Sequence, residues 1–350
     1  METEPFIRDI TRPIAIRGQT VKNRLFLAPM AGLGHVAFRE LLSLYGGFSL
    51  LFTGMCSAKA LPHENTETSL VFRWRKEELP HLVCQIFGPE PSIMAEAAQR
   101  IEQEGFFGVD LNFGCSVAAI CKRGSGAALL KTPALAASIV KEVRRSVSIP
   151  LFVKFRTGWE NNPRVAAETA KRFEDAGADA LVFHPRVAPD RRSRPPLWDH
   201  LASVKQAVSI PVFGNGNIFD RTDGARVMAA TGCDGLSLGR MAVARPWIFA
   251  SMTRMFEPDP DAPHDTATTL ADLLMKHYDE KSAVKLFKKF TPYFSAGFRF
   301  GHSICKQLLR AETMEEIREN IDTVFQSPPR WWPVPTRTSL YNSMVQFFMG

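Results

Sequence analysis

Residues 107–131 read "FGVDLNFGCSVAAICKRGSGAALLK". An apolar run carries the polar Asn112, stops at Gly114, presents a thiol at Cys115, and passes into a basic, glycine-rich loop. A short Val/Leu/Phe-rich run ending in a polar tip and a glycine reads as a buried strand whose far end faces a site. Whether that phrase recurs decides the fold.

It recurs. From Leu25 onward the strand candidates are "LFLAPMAG", "FSLLFTG", "LVCQIFG", "FGVDLNFG", "PLFVKFRTG", "ALVFHPR", "PVFGNGN" and "GLSLGR". Segments of helical period lie between them, among them "EPSIMAEAAQRIEQEG", "TPALAASIVKEVRRSV", "RVAAETAKRFEDAG" and "DRTDGARVMAATG", several closed by the Gly expected just past a helix end. Such alternation predicts an α/β fold, either a closed (β/α)8 TIM barrel or a doubly wound open sheet. The polar residues separate the two. Gln85, Asn112, Lys154 and Arg156, His184 and Arg186, Asn215 and Asn217, and Arg240 all fall at C-terminal strand ends. A barrel gathers those ends at one mouth, where active sites are built, whereas an open sheet spreads them along an edge.

The pattern changes after Ala250. "EPDPDAPHDTATT" is rich in Pro and Asp and reads as a linker over residues 256–269, after a barrel domain of residues 1–255. Residues 270–327 carry only helical periodicity and predict a C-terminal α-helical domain. Residues 328–350 form an aromatic, Pro-rich tail to which the sequence assigns no role. Between residues 281 and 310 there are seven Lys or Arg and no Asp or Glu. Lys281, Lys285, Lys288 and Lys289 share one helical face, and Arg299, His302, Lys306 and Arg310 form a second stripe. Solvated helix faces usually mix signs, so two basic faces point to a phosphate footprint.

The whole chain agrees with that reading but does not require it. Its 350 residues carry a formal net charge of +7, with an isoelectric point near 9.2, which suits an acidic partner. Six scattered cysteines without a C-x-x-C pair, and an N-terminus without a signal-peptide apolar core, point to a cytoplasmic protein with reduced thiols. No metal-ligand spacing and no membrane span are expected.

Two loops carry further chemistry. "VFGNGNIFD" ends the seventh strand in alternating Gly and Asn, and "GLSLGRMAVARPWIF" ends the eighth in Gly239-Arg240. In (β/α)8 barrels these two loops commonly hold phosphate, since glycines let backbone N–H groups approach it. Lys154 suits a different task, because a cation near a flavin N1 or carbonyl stabilises the reduced, anionic ring.

The series "APMAG", "QIFG", "DLNFGC", "GSGAALL", "VKFRTGW", "GNGNI" and "GRMAVARPWIF" resembles the FMN-dependent tRNA-dihydrouridine synthases in order and spacing, from Leu25 to about Phe325. The resemblance implies an FMN barrel joined to a helical RNA-binding domain, reducing the C5–C6 bond of specific uridines with NADPH. It places Pro29, Met30, Gln85, Asn112, Lys154, His184, Asn215, Gly216, Gly239 and Arg240 around FMN or the target base. Asn217 joins the cofactor set. Asn112 and Arg186 go with the substrate, as do Lys285, Lys288, Lys289, Arg299 and Lys306. Cys115 is implied as the proton donor.

That role explains the thiol chemically. Hydride addition at C6 of uracil leaves charge on C5 and the C4 carbonyl, and C5 then needs a proton from a general acid. Such a Cys must stay protonated until reaction, unlike a nucleophilic thiolate. Cys121 has no catalytic role in this scheme, and Lys122 and Arg123 face RNA phosphate from a mobile loop hinged at "GSG". The sequence departs from the family pattern at Ser116 where Pro is usual, at Pro185 where Gly is usual, and at Asn217 where Asp is common; "KKFTPYF" also lacks the usual basic-His pair. "APDRRSRPP" adds Arg191, Arg192 and Arg194 close to the mouth. Two other readings share the residues: an FMN barrel oxidoreductase acting on a small unsaturated substrate, and a non-catalytic RNA-binding protein that retained the barrel.

Overall fold

The computed structural model describes residues 3–188, 194–326 and 329. They fall into two compact units, one formed by residues 1–30 with 48–238, the other by 31–47 with everything from 239 onward. Residues 189–193, with Arg191 and Arg192, and the 328–350 tail apart from Pro329 lie outside the described residues.

The first unit opens with helix α1 (Thr3–Thr11) and a hairpin of β1 (Ile14–Ile16) and β2 (Gln19–Val21). Eight parallel strands follow: β3 (Leu25–Leu27), β4 (Leu51–Ser57), β5 (Leu82–Phe87), β6 (Gly108–Phe113), β7 (Leu151–Gly158), β8 (Ala180–Val187), β9 (Val212–Asn215) and β10 (Gly235–Leu238). Their order is β3-β10-β9-β8-β7-β6-β5-β4. A parallel bridge from Phe26 to Leu50 joins the two ends, so the sheet closes on itself. The eight strands are those the sequence predicts, and the barrel is the alternative realised.

Strand periodicity of two divides each strand between the barrel interior and the helices outside. Inward positions low in the barrel hold Phe26, Phe52, Phe152 and Phe213, all fully buried. Their rings stack into one floor, with centroids 4.1 Å apart for Phe26 and Phe213 and 5.5 Å for Phe52 and Phe152. Small residues make room for them: a Cβ on Gly235 would stand 2.7 Å from the Phe213 ring. Truncating a fully buried Phe of this floor to Ala would cost about 3–5 kcal/mol. The floor matters to function because it ends the packed core and leaves the next inward positions to line a mouth.

The second unit is helical. Its elements are α2 (Val36–Tyr45), then, after the barrel helices α3 (Pro91–Gln103), α4 (Ala118–Cys121), α5 (Pro133–Ser146), α6 (Pro163–Asp175), α7 (Trp198–Ala207) and α8 (Arg221–Thr231), the run α9 (Arg240–Ala244), α10 (Ile248–Arg254), α11 (Ala262–His277), α12 (Glu280–Ser295), α13 (Gly301–Arg310) and α14 (Met314–Phe325). Phe287, Phe290, Phe294 and Phe298 are buried within it.

Several expected boundaries change, among them the barrel's end at residue 255, since residues 239–255 fall in the second unit. The segment read as a linker over 256–269 is helical from Ala262, with Pro263 in the first turn and the Ala262 N–H donating to Asp259 Oδ1 at 2.8 Å. Pro and Asp are helix-start residues as well as linker residues, and here Thr266, Ala267 and Leu270 are buried behind them. Residues 31–47, counted with the barrel by sequence order, belong to the helical unit, because α2 packs on α11.

Candidate active site

Above the phenylalanine floor the inward positions become polar together. Continuing the parity of Val83, Phe152, Val182 and Phe213 toward the C-terminal ends reaches Gln85, Lys154 and Arg156, His184 and Arg186, and Asn215, with Asp110 and Asn112 on β6. Parallel pairing sets Asn112 beside Lys154 and Arg156 beside His184. The barrel therefore brings these strand-end residues of the first unit together at one end of its strands.

An ordered series of hydrogen bonds runs along one side of the mouth. Gln85 Nε2 donates to Asp110 Oδ2 at 2.6 Å, Asn112 Nδ2 donates to Gln85 Oε1 at 2.8 Å, and Asn112 Oδ1 accepts from the backbone N–H groups of Gly114 at 3.1 Å and Cys115 at 2.9 Å. Asp110 is fully buried. Burial pushes its carboxyl up from the ordinary carboxylate range, against the pull of Gln85 and Lys154. Burial also draws the Lys154 ammonium down, while Asp110 and Cys115 favour its charged form and Arg156 opposes it. Asp110 escaped the sequence reading. An acid two residues before Asn112 in an apolar run was its only signal, and its partner comes from another strand.

Cys115 is half-exposed, just beyond the tip of β6. Its carbonyl accepts from Ala127 N–H at 2.8 Å and from the Cys121 thiol at 3.5 Å. These bonds fold the basic loop back on the strand end. Gly126 makes that approach possible, since at φ +62 a Cβ would lie 2.5 Å from the Cys115 carbonyl. Lys122 and Arg123 face solvent. Across the loop, Trp159 Nε1 donates to Ala127 O at 2.7 Å and Lys131 Nζ sits 4.0 Å from the Trp159 ring centroid.

On the opposite side, Arg186 reaches His184 Nε2 at 3.2 Å and Asn217 Oδ1 at 2.8 Å. Asn215 Nδ2 donates to Ser237 O at 2.7 Å. Gly216 lies at φ +119, where a Cβ would come 3.0 Å from the His184 ring. Pro185 falls where the β7–β8 register shifts, so its missing N–H interrupts no ladder, and its carbonyl accepts from Leu197 N–H at 2.8 Å. Pro29 and Met30 follow β3, half-exposed. Among the described residues, Asp110 Oδ1 and Ser237 Oγ are buried without a hydrogen-bond partner.

The remaining candidates lie in the helical unit. Gly239 caps α9, and Arg240 is its first residue, half-buried. Lys285, Arg299, His302, Lys306 and Arg310 are exposed and Lys288 is half-buried, so both stripes reach solvent. Lys289 is exposed too, but its setting differs. Its ammonium lies against the Gly32 backbone, and desolvation, then Lys285, lowers its pKa. Sequence reasoning also missed Phe300, 68% exposed at φ +60 with the Arg299 guanidinium 5.4 Å from its ring.

Among the described residues, no helix is long and apolar enough to cross a membrane and no metal-binding cluster is present. Residues 26–327 match the family model described as dihydrouridine synthase. The chain is 34% identical over 290 residues to tRNA-dihydrouridine synthase B of Pseudomonas aeruginosa, covering 81% of this chain and 87% of the relative. It is 31% identical to a probable tRNA-dihydrouridine synthase 1 of Synechocystis, covering 89% of each. A probable tRNA-dihydrouridine synthase of Mycobacterium tuberculosis is 34% identical over 83% of this chain and 79% of its own length. Among solved structures, the old yellow enzyme from Trypanosoma cruzi shares the fold at a TM-score of 0.53 and 12% identity, over 77% of this chain and 98% of that one. With a family match that takes in both the barrel mouth and the helices, this chain belongs to the dihydrouridine synthase family.

Proposed function

We propose that this protein reduces the C5–C6 bond of uridine in tRNA to dihydrouridine, with FMN in the barrel mouth, NADPH as reductant and Cys115 as proton donor. The observation that carries the reading is the place of Cys115, half-exposed at the tip of β6 with its backbone N–H held by Asn112. The Lys154 cation, the buried Ser237 hydroxyl and the glycine turn at Gly216 would suit an isoalloxazine and its phosphate. FMN held there would supply hydride-transfer chemistry.

The chain's own residues do the rest. Gln85, Lys154, His184, Asn215, Pro29 and Met30 would hold the ring system. Gly216, Asn217, Gly239 and Arg240 would hold the phosphate. Asn112 and Arg186 hold the target base. Cys115 places its thiol proton on C5, a role that requires the neutral thiol. A uracil stacked in folded RNA is out of reach, so it must leave the stack while Lys285, Lys288, Lys289, Arg299 and Lys306 hold nearby phosphates. Phe300 adds an aromatic face on which an unpaired base can stack.

The test is direct. Purified protein should show flavin absorption that NADPH bleaches, and unmodified tRNA should then reoxidise the flavin and gain two hydrogens at a uridine, read by nucleoside mass spectrometry. A bleachable flavin that no unmodified tRNA reoxidises would assign the barrel to another unsaturated substrate. RNA binding without bound flavin would leave a binding protein.

A further inference from the structure

We infer that Asp110 is a positioning residue for Cys115, acting through Gln85 and Asn112; the inference rests on the proton-donor reading above. The geometry is directional. Two backbone N–H groups, of Gly114 and Cys115, fix the Asn112 oxygen toward the loop. That leaves Asn112 Nδ2 to face Gln85, which must answer with Oε1 at 2.8 Å and so turns its own Nε2 inward. The series then needs a terminal acceptor, and the buried Asp110 Oδ2 provides it at 2.6 Å. The Asp110 carboxyl presents Oδ2 as an acceptor to Gln85, and that acceptor holds both amides in this orientation. Without it, Gln85 gains by turning over, and its Nε2 would then meet Asn112 Nδ2, donor against donor. Asn112 relieves that conflict only by releasing the Cys115 N–H. Through two amides, the carboxylate thus sets the turn that aims the thiol.

The experiment uses the FMN-loaded full chain in a Cys121→Ala background, where Cys115 is the accessible thiol because Cys56, Cys84, Cys233 and Cys305 are buried. Two rates are read: alkylation of Cys115 by iodoacetamide, followed by peptide mass spectrometry, and single-turnover oxidation of reduced flavin by tRNA. Asp110→Asn can still present a carbonyl oxygen to Gln85 and should stay close to the parent in both. Asp110→Leu cannot, and should change the alkylation rate severalfold and slow oxidation by about 10- to 100-fold, the scale of a misplaced reacting group. Gln85→Met breaks the series without touching Asp110 and should reproduce the alkylation change, which keeps the test open if Asp110→Leu does not fold. Parent-like alkylation in Gln85→Met would overturn the inference, as would Asp110→Asn behaving like Asp110→Leu. Should tRNA prove not to be the substrate, the oxidation arm fails for the parent as well, while the alkylation arm still reports on the series.

Discussion

Arg186 on β8 donates from Nη2 to Asn217 Oδ1 in the turn after β9 at 2.8 Å, and Asn217 takes a left-handed backbone there, φ +47. The two positions are neighbours in the mouth although 31 residues separate them in the chain. Asn217 is thus a tether as well as a turn residue, and it accepts the Arg186 hydrogen bond without adding a negative charge. Replacing Asn217 by Gly relieves the backbone but removes the acceptor, and replacing it by Ala removes the acceptor and adds left-handed strain of about 1–2 kcal/mol. Chemical denaturation should therefore find Asn217→Ala less stable than Asn217→Gly by about that amount. Both should raise KM for tRNA alike, since both release Arg186. Equal stabilities would mean the turn relaxes without cost.

Arg240 should hold the cofactor phosphate by a charge-assisted bond, worth about 1.5–3 kcal/mol. Arg240→Ala should weaken FMN binding by about 10- to 100-fold in a dissociation assay at constant ionic strength. Unchanged retention would place the phosphate elsewhere.

RNA binding should fall steeply with salt. Replacing Lys285, Lys288 and Lys289 together by Gln should flatten the log–log salt dependence, by about 0.7–0.9 for each phosphate no longer neutralised. Phe300→Ala should behave differently, weakening affinity by about 1–3 kcal/mol with the slope unchanged, because stacking releases no counterions. An unchanged slope in the triple variant would move the footprint off α12. Unchanged affinity in Phe300→Ala would remove the stacking role.

His35 caps α2 by accepting the Phe38 N–H at its Nδ1, and burial, assisted by Arg39, His277 and Lys289, lowers its pKa to about 3. The folded value lies below the ordinary 6.5, so between the two the unfolded chain binds more protons than the native one. This contribution is fully present above pH 6.5 and is lost as pH falls, by at most about 1.4 kcal/mol per unit. His35→Asn keeps a cap acceptor and cannot titrate there. Its stability should fall less than wild type between pH 6.5 and 4 in urea titrations. Parallel curves would show that His35 protonates at no cost.

The barrel was legible because strand length, glycine stops and polar tips repeat locally, at each of the eight strands. Cys115 was legible for the same reason, lying two residues past a strand. Asp110 was not, since a carboxylate in an apolar run gains meaning only when closure brings Gln85 to it from β5. The place of Lys289 was hidden too, because its helical face aligns it with Lys285 while its ammonium meets Gly32, far back in the chain. Residues 31–47 carry an ordinary βα signature, and only packing on α11 assigns them to the helical unit. Local pattern located the mouth, and the contacts that tune it are long-range.

The proton donor is the central claim, and one variant tests it most directly. Cys115→Ala should retain FMN and be reduced by NADPH at close to the wild-type rate. Single-turnover oxidation of its reduced flavin by tRNA should slow by about 10² to 10⁴, the usual worth of general-acid assistance. Cys121→Ala, which removes a thiol that donates to the Cys115 carbonyl, should slow it far less. If Cys115→Ala is reoxidised by tRNA as fast as wild type, with dihydrouridine formed, the proton comes from another group and the account of this mouth is wrong.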